Sequence, residues 1–263
     1  MPDWRPWGES LLHSPWRWGL LPLWLGFRPL VAMRNACFDL GWRRPQRLTT
    51  PVICVGNLTA GGTGKTPLVA WLGAALRAAG ERPAVISRGY RGVDGTNDEA
   101  RTSEVPVFCD SRRVRAGWRA IAEGASCLLM DDGFQHRQLH RDIDVVCIDA
   151  TRPWGRSNPA SAQTLPLGLL REGPRALRRA DAIVLTRCDQ VGDEVCDGLV
   201  ADLGRWGQAV FRCRHQPAAL QPLATDEQPL PPTNLRGRRV LAVAGIANPV
   251  AFFRSLADAG AAI

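Results

Sequence analysis

The sequence predicts an α/β protein: a mostly parallel sheet with helices on both faces, preceded by an N-terminal amphiphilic helical segment. Three observations lead there. Short apolar runs alternate with helix-length stretches from Pro51 onward, and tryptophan is concentrated before that point. The third is size: 263 residues at 45% hydrophobic and 22% charged suffice for one large domain or two modest ones. The same figures exclude a disordered chain and a disulfide-stapled miniprotein.

Six of the ten tryptophans (4, 7, 16, 18, 24, 42) lie in the first 42 residues. The longest apolar run there, Trp18 to Phe27, is ten residues long, contains Pro22 and is bracketed by Arg17 and Arg28. A spanning helix needs about 20 apolar residues, so the run is too short to cross a bilayer. Its tryptophans and the lack of an A-x-A-like site argue against a secretory signal. Two readings stand: attachment at the lipid headgroup boundary, where an indole has an apolar body and a wet N–H, or packing of the rings on the protein's own core.

Val52–Gly56, Arg82–Ser87, Val105–Cys109, Ser126–Asp131, Ile143–Asp149 and Asp181–Thr186 read as strands, most of them fully buried. Thr66–Ala79 and Ser111–Glu123 read as helices, the second opened by Ser111 as N-cap. Alternation of this kind means a parallel sheet covered on both faces. Residues 216–235 hold five prolines and read as a connector, followed by a strand at Arg239–Ala244 and a helix at Pro249–Ala259. The expected organisation is a membrane-associating segment over 1–45, a core over 46–220, and a connector with an incomplete C-terminal lobe over 221–263.

Eight cysteines occur without any C-x-x-C pair, and Cys54, Cys127 and Cys147 sit inside apolar runs as small buried hydrophobes. The net charge of +8 favours anionic partners. Of 33 basic residues all but one are arginine; the single lysine is Lys65. That lysine stands in Gly56-Asn-Leu-Thr-Ala-Gly-Gly-Thr-Gly-Lys-Thr66, between a buried strand and a helix. Residues Ala60, Gly61, Gly62, Thr63 and Gly64 can turn backbone N–H groups around phosphate oxygens, and the helix N-terminus adds its positive dipole end. Lys65 can reach the β/γ-phosphates and the Thr66 hydroxyl can ligate Mg²⁺. Thr59 stands where the strict pattern has its first glycine, so this is a variant phosphate loop with Gly61-Gly62 supplying the flexibility. An apolar run ending in acid, Cys127-Leu-Leu-Met-Asp131-Asp132-Gly133, supplies a carboxylate facing the loop. Adjacent Asp131 and Asp132 should point to opposite sides of a strand end, leaving one as the direct metal ligand.

In order along the chain, Gly56-Asn57, Gly61-Gly-Thr-Gly-Lys-Thr-Pro67, Ser87-Arg-Gly-Tyr90, Asn97-Asp-Glu99, Asp131-Asp-Gly-Phe-Gln-His136, Arg141-Asp142, Leu165-Pro166 with Gly168-Leu-Leu-Arg-Glu172, and Ala244-Gly-Ile-Ala-Asn-Pro249 resemble the motifs of the tetraacyldisaccharide 4'-kinases. The resemblance covers essentially the whole chain. It implies a P-loop NTPase-type fold and transfer of the γ-phosphoryl of ATP to the 4'-hydroxyl of an acylated glucosamine disaccharide 1-phosphate, in lipid A biosynthesis. It also implies peripheral attachment to the cytoplasmic leaflet of the inner membrane, with an anionic lipid substrate and no nucleic acid. Asp98 is then the candidate base for the acceptor hydroxyl. Arg171, Glu99 and His136 are the candidate substrate contacts, and Thr66 with Asp131 and Asp132 the Mg²⁺ set. Arg171 equally reads as part of a solvated basic face with Arg175, Arg178 and Arg179, and His136 equally as a structural residue. The family pattern continues past Ala244–Pro249 to an Asp-His-His-like motif, so the sequence is expected to be C-terminally truncated relative to it.

Two other functions fit parts of the pattern. Thr186-Arg-Cys-Asp189 loosely resembles a guanine-reading N/T-K-x-D motif, which would suit a deviant-loop ATPase or GTPase switch. A non-catalytic ATP-binding remnant is the other.

Overall fold

The computed structural model describes residues 15–89, 105–155, 162–223, 228–246 and 248–263. A 3-10 turn at Pro15–Leu20 leads into helix α1, Leu21–Asp39. The strands are β1 Val52–Asn57, β2 Pro83–Ser87, β3 Val107–Cys109, β4 Cys127–Asp131, β5 Ile143–Asp149, β6 Ala182–Thr186 and β7 Ala209–Arg212. Between and after them run α2 Lys65–Ala78, α3 Arg113–Ala122, α4 Asp193–Gly204 and α5 Pro249–Asp258. All pairings in the sheet are parallel, in the order β3-β2-β4-β1-β5-β6-β7.

Parallel strands need crossovers, and the crossovers cover both faces, so the strands carry apolar residues on both sides. Val52, Cys54, Ala84, Ile86, Leu128 and Met130 form one cluster with Ala116 and Ala120 of α3. Their neighbours Val55, Val85 and Leu129 turn the other way and cluster with Val69 of α2. This is the period-2 alternation of a strand read on both faces at once. β1 lies at the centre, with β4 on one side and β5 on the other. The chain therefore leaves β1 at a topological switch point, where a crevice opens beyond the strand ends.

Two expectations need correction, and one strand was not read from the sequence. Ser111 does not cap α3: the Asp110 carboxylate accepts from the backbone N–H of Arg112 (2.7 Å), and Arg112 holds the cap position without a side-chain cap bond. Arg239–Ala244 forms no strand. Only an isolated bridge joins Arg239 to Ala262, because Leu241 and Val243 are almost fully exposed and pair with nothing in the sheet. β7, conversely, went unrecognised: it is short, half-exposed, and pairs only with β6 at the sheet edge.

α1 has two unlike sides. On one, Trp24 Nε1 donates to Thr164 Oγ1 (2.9 Å), Asn35 Nδ2 to Glu172 Oε2 (2.8 Å), and Arg137 to the Asn35 carbonyl (3.1 Å) and the Asp39 carboxylate (2.7 Å). On the other, Leu23, Leu25, Leu30 and Met33 are each more than half exposed, as are Trp16 before the helix and Trp42 after it. Among the described residues no helix is long and apolar enough to cross a membrane.

Candidate active site

The segment after β1 is held by neighbouring elements and by the Asn57 side chain at the end of β1. Ala60 N donates to Leu169 O (2.6 Å) and Arg171 N to Leu58 O (2.7 Å). Asn57 Nδ2 donates to Thr59 O (2.8 Å), and Thr186 Oγ1, from the end of β6, donates to Thr63 O (2.9 Å). Two glycines are there for geometric reasons. A Cβ on Gly56 would sit 2.4 Å from Phe134 Cβ, so the backbone of the Asp-Asp-Gly-Phe turn can approach β1 only at a glycine. Gly64 caps α2 at φ +80°, a left-handed conformation that turns the chain into the helix. The first turn of α2 thus points its N–H groups at the crevice, which is the electrostatic requirement for binding phosphate.

Lys65 and Thr66 begin that helix and line a cavity of about 410 Å³ together with Asp131, Asp132, Arg113 and Arg171. Lys65 Nζ lies 3.5 Å from Asp132 Oδ1, and Arg171 Nη1 donates to the same oxygen at 2.7 Å. Burial alone would raise the Asp132 pKa, but the Lys65 and Arg171 charges outweigh it and hold the carboxyl below its ordinary value. The strand-alternation argument fails for this pair: Asp132 takes φ +49° and leaves the strand, and both residues line the same cavity.

Arg113 was not recognised from the sequence. Its guanidinium is buried and donates to the carbonyls of Asp131 (3.1 Å) and Asp132 (3.0 Å), which fixes the turn that carries both acids. Nothing in Ser111-Arg-Arg-Val-Arg115 marks the middle arginine as different from its neighbours. Ser87 and Arg88 at the end of β2, and Gln135, complete the wall; Gln135 Nε2 donates to Asn57 O (2.9 Å) and its Oε1 accepts from Arg171 (3.3 Å). His136 lines the same cavity, and burial together with Arg113, Arg141 and Arg88 lowers its pKa from 6.5 to about 4, so the ring is neutral at pH 7. Asp98 and Glu99 lie outside the described residues.

The donor set suits a hard cation that keeps water and phosphate oxygens in its shell: Thr66 and Asp131, both lining the cavity, carry oxygen donors. Among the described residues no cluster of three or more His, Cys, Asp or Glu side chains could hold a metal without such help.

The guanine-reader motif has other duties. Arg187, at φ +57°, ion-pairs with Asp149 and donates to Gly62 O (3.1 Å), bracing the phosphate loop from behind. Asp189 Oδ1 accepts the backbone N–H of His215 (3.0 Å).

A phosphate loop at the switch point of a parallel sheet, with a lysine at the helix start and acids at the neighbouring strand end, defines a P-loop nucleotide-dependent phosphotransferase. Residues 16–263 match the family Tetraacyldisaccharide-1-P 4'-kinase, and the chain belongs to that family. A Tetraacyldisaccharide 4'-kinase of Anaeromyxobacter sp. (strain Fw109-5) is 39% identical over 97% of this chain and 73% of its own. One from Syntrophus aciditrophicus (strain SB) is 39% identical over 99% and 76%. The solved "apo" form of LpxK from Aquifex aeolicus in complex with ATP superposes with a TM-score of 0.73 at 26% identity, covering 94% of this chain and 80% of that one.

Proposed function

We propose that this chain transfers the γ-phosphoryl of ATP to the 4'-hydroxyl of an acylated glucosamine disaccharide 1-phosphate, a step of lipid A biosynthesis. The observation that carries the reading is the chain's single lysine, set at the start of α2 and aimed at Asp132 across the cavity that also holds Arg171 and Arg113.

Phosphoryl transfer asks a protein for positioning and charge stabilisation more than for covalent chemistry. Lys65 and the N–H groups of Gly61–Thr66 hold the β- and γ-phosphates; Ala60, also expected in this set, has its N–H taken by Leu169 O. Thr66 and Asp131 are the residues that would hold Mg²⁺, with Asp132 beside them; the ion would offset the negative charge of the phosphates. When ATP enters, its phosphates compete for Lys65 and Arg171, which are tied to Asp132 in the free enzyme. Both cations then face the transferring group. The 4'-oxygen attacks the γ-phosphorus, the bond from that phosphorus to the β–γ bridging oxygen breaks, and ADP leaves. The hydroxyl proton passes to a carboxylate, assigned by family resemblance to Asp98, with Glu99 and His136 contacting the sugar. Neutral His136 can donate or accept a hydrogen bond there without adding charge.

The same reading places residues 1–45 at the cytoplasmic face of the inner membrane, and what supports it is the exposed apolar side of α1. Residues 46–220 are then the kinase core and 221–263 a connector and the start of a C-terminal lobe.

The deciding measurement is ADP release in the presence and absence of acylated disaccharide 1-phosphate, with the product's phosphate located by mass spectrometry. Acceptor-dependent turnover with phosphate at the 4' position is expected. Equal ATP hydrolysis without acceptor would establish a switch ATPase, and no turnover at all a binding remnant.

A further inference from the structure

A second cavity, of about 470 Å³, lies beside the first, and Arg113 and His136 line both. Its other walls come from the segment after α1, which brings Arg43 and Arg44, and from the first turn of α3, which brings Arg112 and Arg115. These pieces are fixed by backbone. Gln46 N donates to Gln138 O (2.8 Å) and His140 N to Gln46 O (2.8 Å), tying the post-α1 segment to the chain beyond β4. The Arg113 bonds to the Asp131 and Asp132 carbonyls tie the start of α3 to the same place.

Among the described residues no carboxylate lines this cavity, and Arg43, Arg44, Arg112 and Arg115 form no ion pair. That sets them apart from Arg34, Arg137, Arg141, Arg171, Arg179 and Arg187, each of which is paired with an acid. Four arginines lining one space bring like charge together, and an anion bound among them offsets that charge. A planar fork of donors suits a phosphate group in particular.

We propose that Arg43, Arg44, Arg112 and Arg115 form the subsite for the acceptor's 1-phosphate; the proposal rests on the 4'-kinase reading. An acylated disaccharide 1-phosphate carries its reacting hydroxyl on one ring and its phosphate on the other. The two cavities match that layout, one at the phosphate loop for the reacting end and one across Arg113 and His136 for the anionic end. The subsite makes the enzyme read the far ring of its acceptor and supplies binding energy remote from the reacting atoms.

A lipid headgroup offers the same phosphate chemistry, since Arg43 and Arg44 follow closely on α1. Two acceptors separate the sources: the acylated disaccharide with its 1-phosphate, and the same compound with a free 1-hydroxyl, both in detergent micelles with saturating ATP. The wild-type enzyme is expected to favour the phosphorylated acceptor in kcat/KM by roughly tenfold or more, the scale of one charge-assisted hydrogen bond. Arg43→Ala/Arg44→Ala and Arg115→Ala should each lose about tenfold on the phosphorylated acceptor, leave the 1-hydroxyl acceptor and the KM for ATP unchanged, and recover partly as Arg→Lys. The proposal is overturned if wild type does not discriminate, or if the variants lose both acceptors equally. Reduced co-sedimentation with phosphatidylglycerol vesicles at unchanged acceptor preference would assign the arginines to headgroups instead. Turnover of neither acceptor by wild type would be a failure of the kinase reading itself, distinct from turnover without discrimination.

Discussion

The phosphate-loop crevice and the outer side of α1 follow opposite rules. In the crevice, charged groups are drawn partly out of water and set against partners: Asp132 has Lys65 and Arg171, and Arg113 has two carbonyls. On α1, leucine, methionine and flanking tryptophan are left in contact with solvent although the opposite side of the helix is hydrogen-bonded to the core. Isolated exposed apolar residues are ordinary, but a contiguous set on one side of one helix marks an interaction surface. The difference teaches that the described part of the crevice settles its charges against one another, while the outer side of α1 leaves a set of apolar side chains uncovered, the feature on which the proposed membrane docking rests.

The sharpest way to break this comparison is at Lys65. Lys65→Ala should lower kcat by on the order of 10²-fold or more, the scale of losing one transition-state charge donor. Lys65→Arg should fail as well, because a planar fork does not fit a loop formed around a compact ammonium. Acceptor-dependent ADP release measures both, and near-normal activity in Lys65→Arg would remove the phosphate-loop assignment.

The corresponding test of α1 is Leu23→Ser/Leu25→Ser/Leu30→Ser/Met33→Ser. These side chains touch solvent, so the melting temperature and the affinity for ATP should be unchanged. Co-sedimentation with anionic vesicles should fall by about tenfold or more, since each partly inserted side chain contributes on the order of 1 kcal/mol. High salt should release the wild-type protein only in part, because salt screens the arginine contribution and leaves the apolar one. Undiminished vesicle binding by the quadruple variant would move the docking surface elsewhere.

A smaller effect is expected from Gly56→Ala. Its methyl would meet Phe134 Cβ at 2.4 Å and Phe134 N at 2.8 Å, and backbone cannot swing aside as a side-chain tip can. Overpacking of this kind costs about 1–3 kcal/mol, visible as a drop of several degrees in Tm. A Tm equal to that of wild type would mean that the Asp-Asp-Gly-Phe turn is not pressed against β1.

How much of this was legible differs between the two regions. The central strands and the phosphate loop were readable because fully buried apolar runs and a glycine-rich turn before a helix have few other uses. Edge elements were not. β7 is only four residues long, Ala-Val-Phe-Arg, and lies mostly exposed at the sheet edge, whereas Leu-Ala-Val at 241–243 is just as apolar and joins no strand. Arg113 was hidden by its surroundings, since an arginine among arginines shows its role only through its partners. Asp132 was misjudged because a positive φ breaks the alternation that a strand would impose.

The smallest effect concerns His136, and its sign follows from the direction of its shift. The unfolded ring titrates near 6.5; in the fold, burial and then Arg113, Arg141 and Arg88 bring it to about 4. Between those values the unfolded chain binds the proton and the native protein does not, so stability is fully present above pH 6.5 and is lost as pH falls toward 4. The ring is partly open to solvent, so screening reduces the contribution to on the order of 1 kcal/mol. His136→Gln keeps a hydrogen-bonding side chain but cannot take up the charge. Its Tm should therefore fall less than that of wild type between pH 7.5 and pH 5. His215, also lowered, adds a slope of the same sign, and Asp144, raised by burial, adds one of the opposite sign; both are present in each protein and cancel in the difference. Asp132 titrates below this window. Parallel Tm curves for the two proteins across pH 5–7.5 would mean that His136 is free to protonate in the fold, and a neutral hydrogen-bonding role for it at the acceptor sugar would have to be given up.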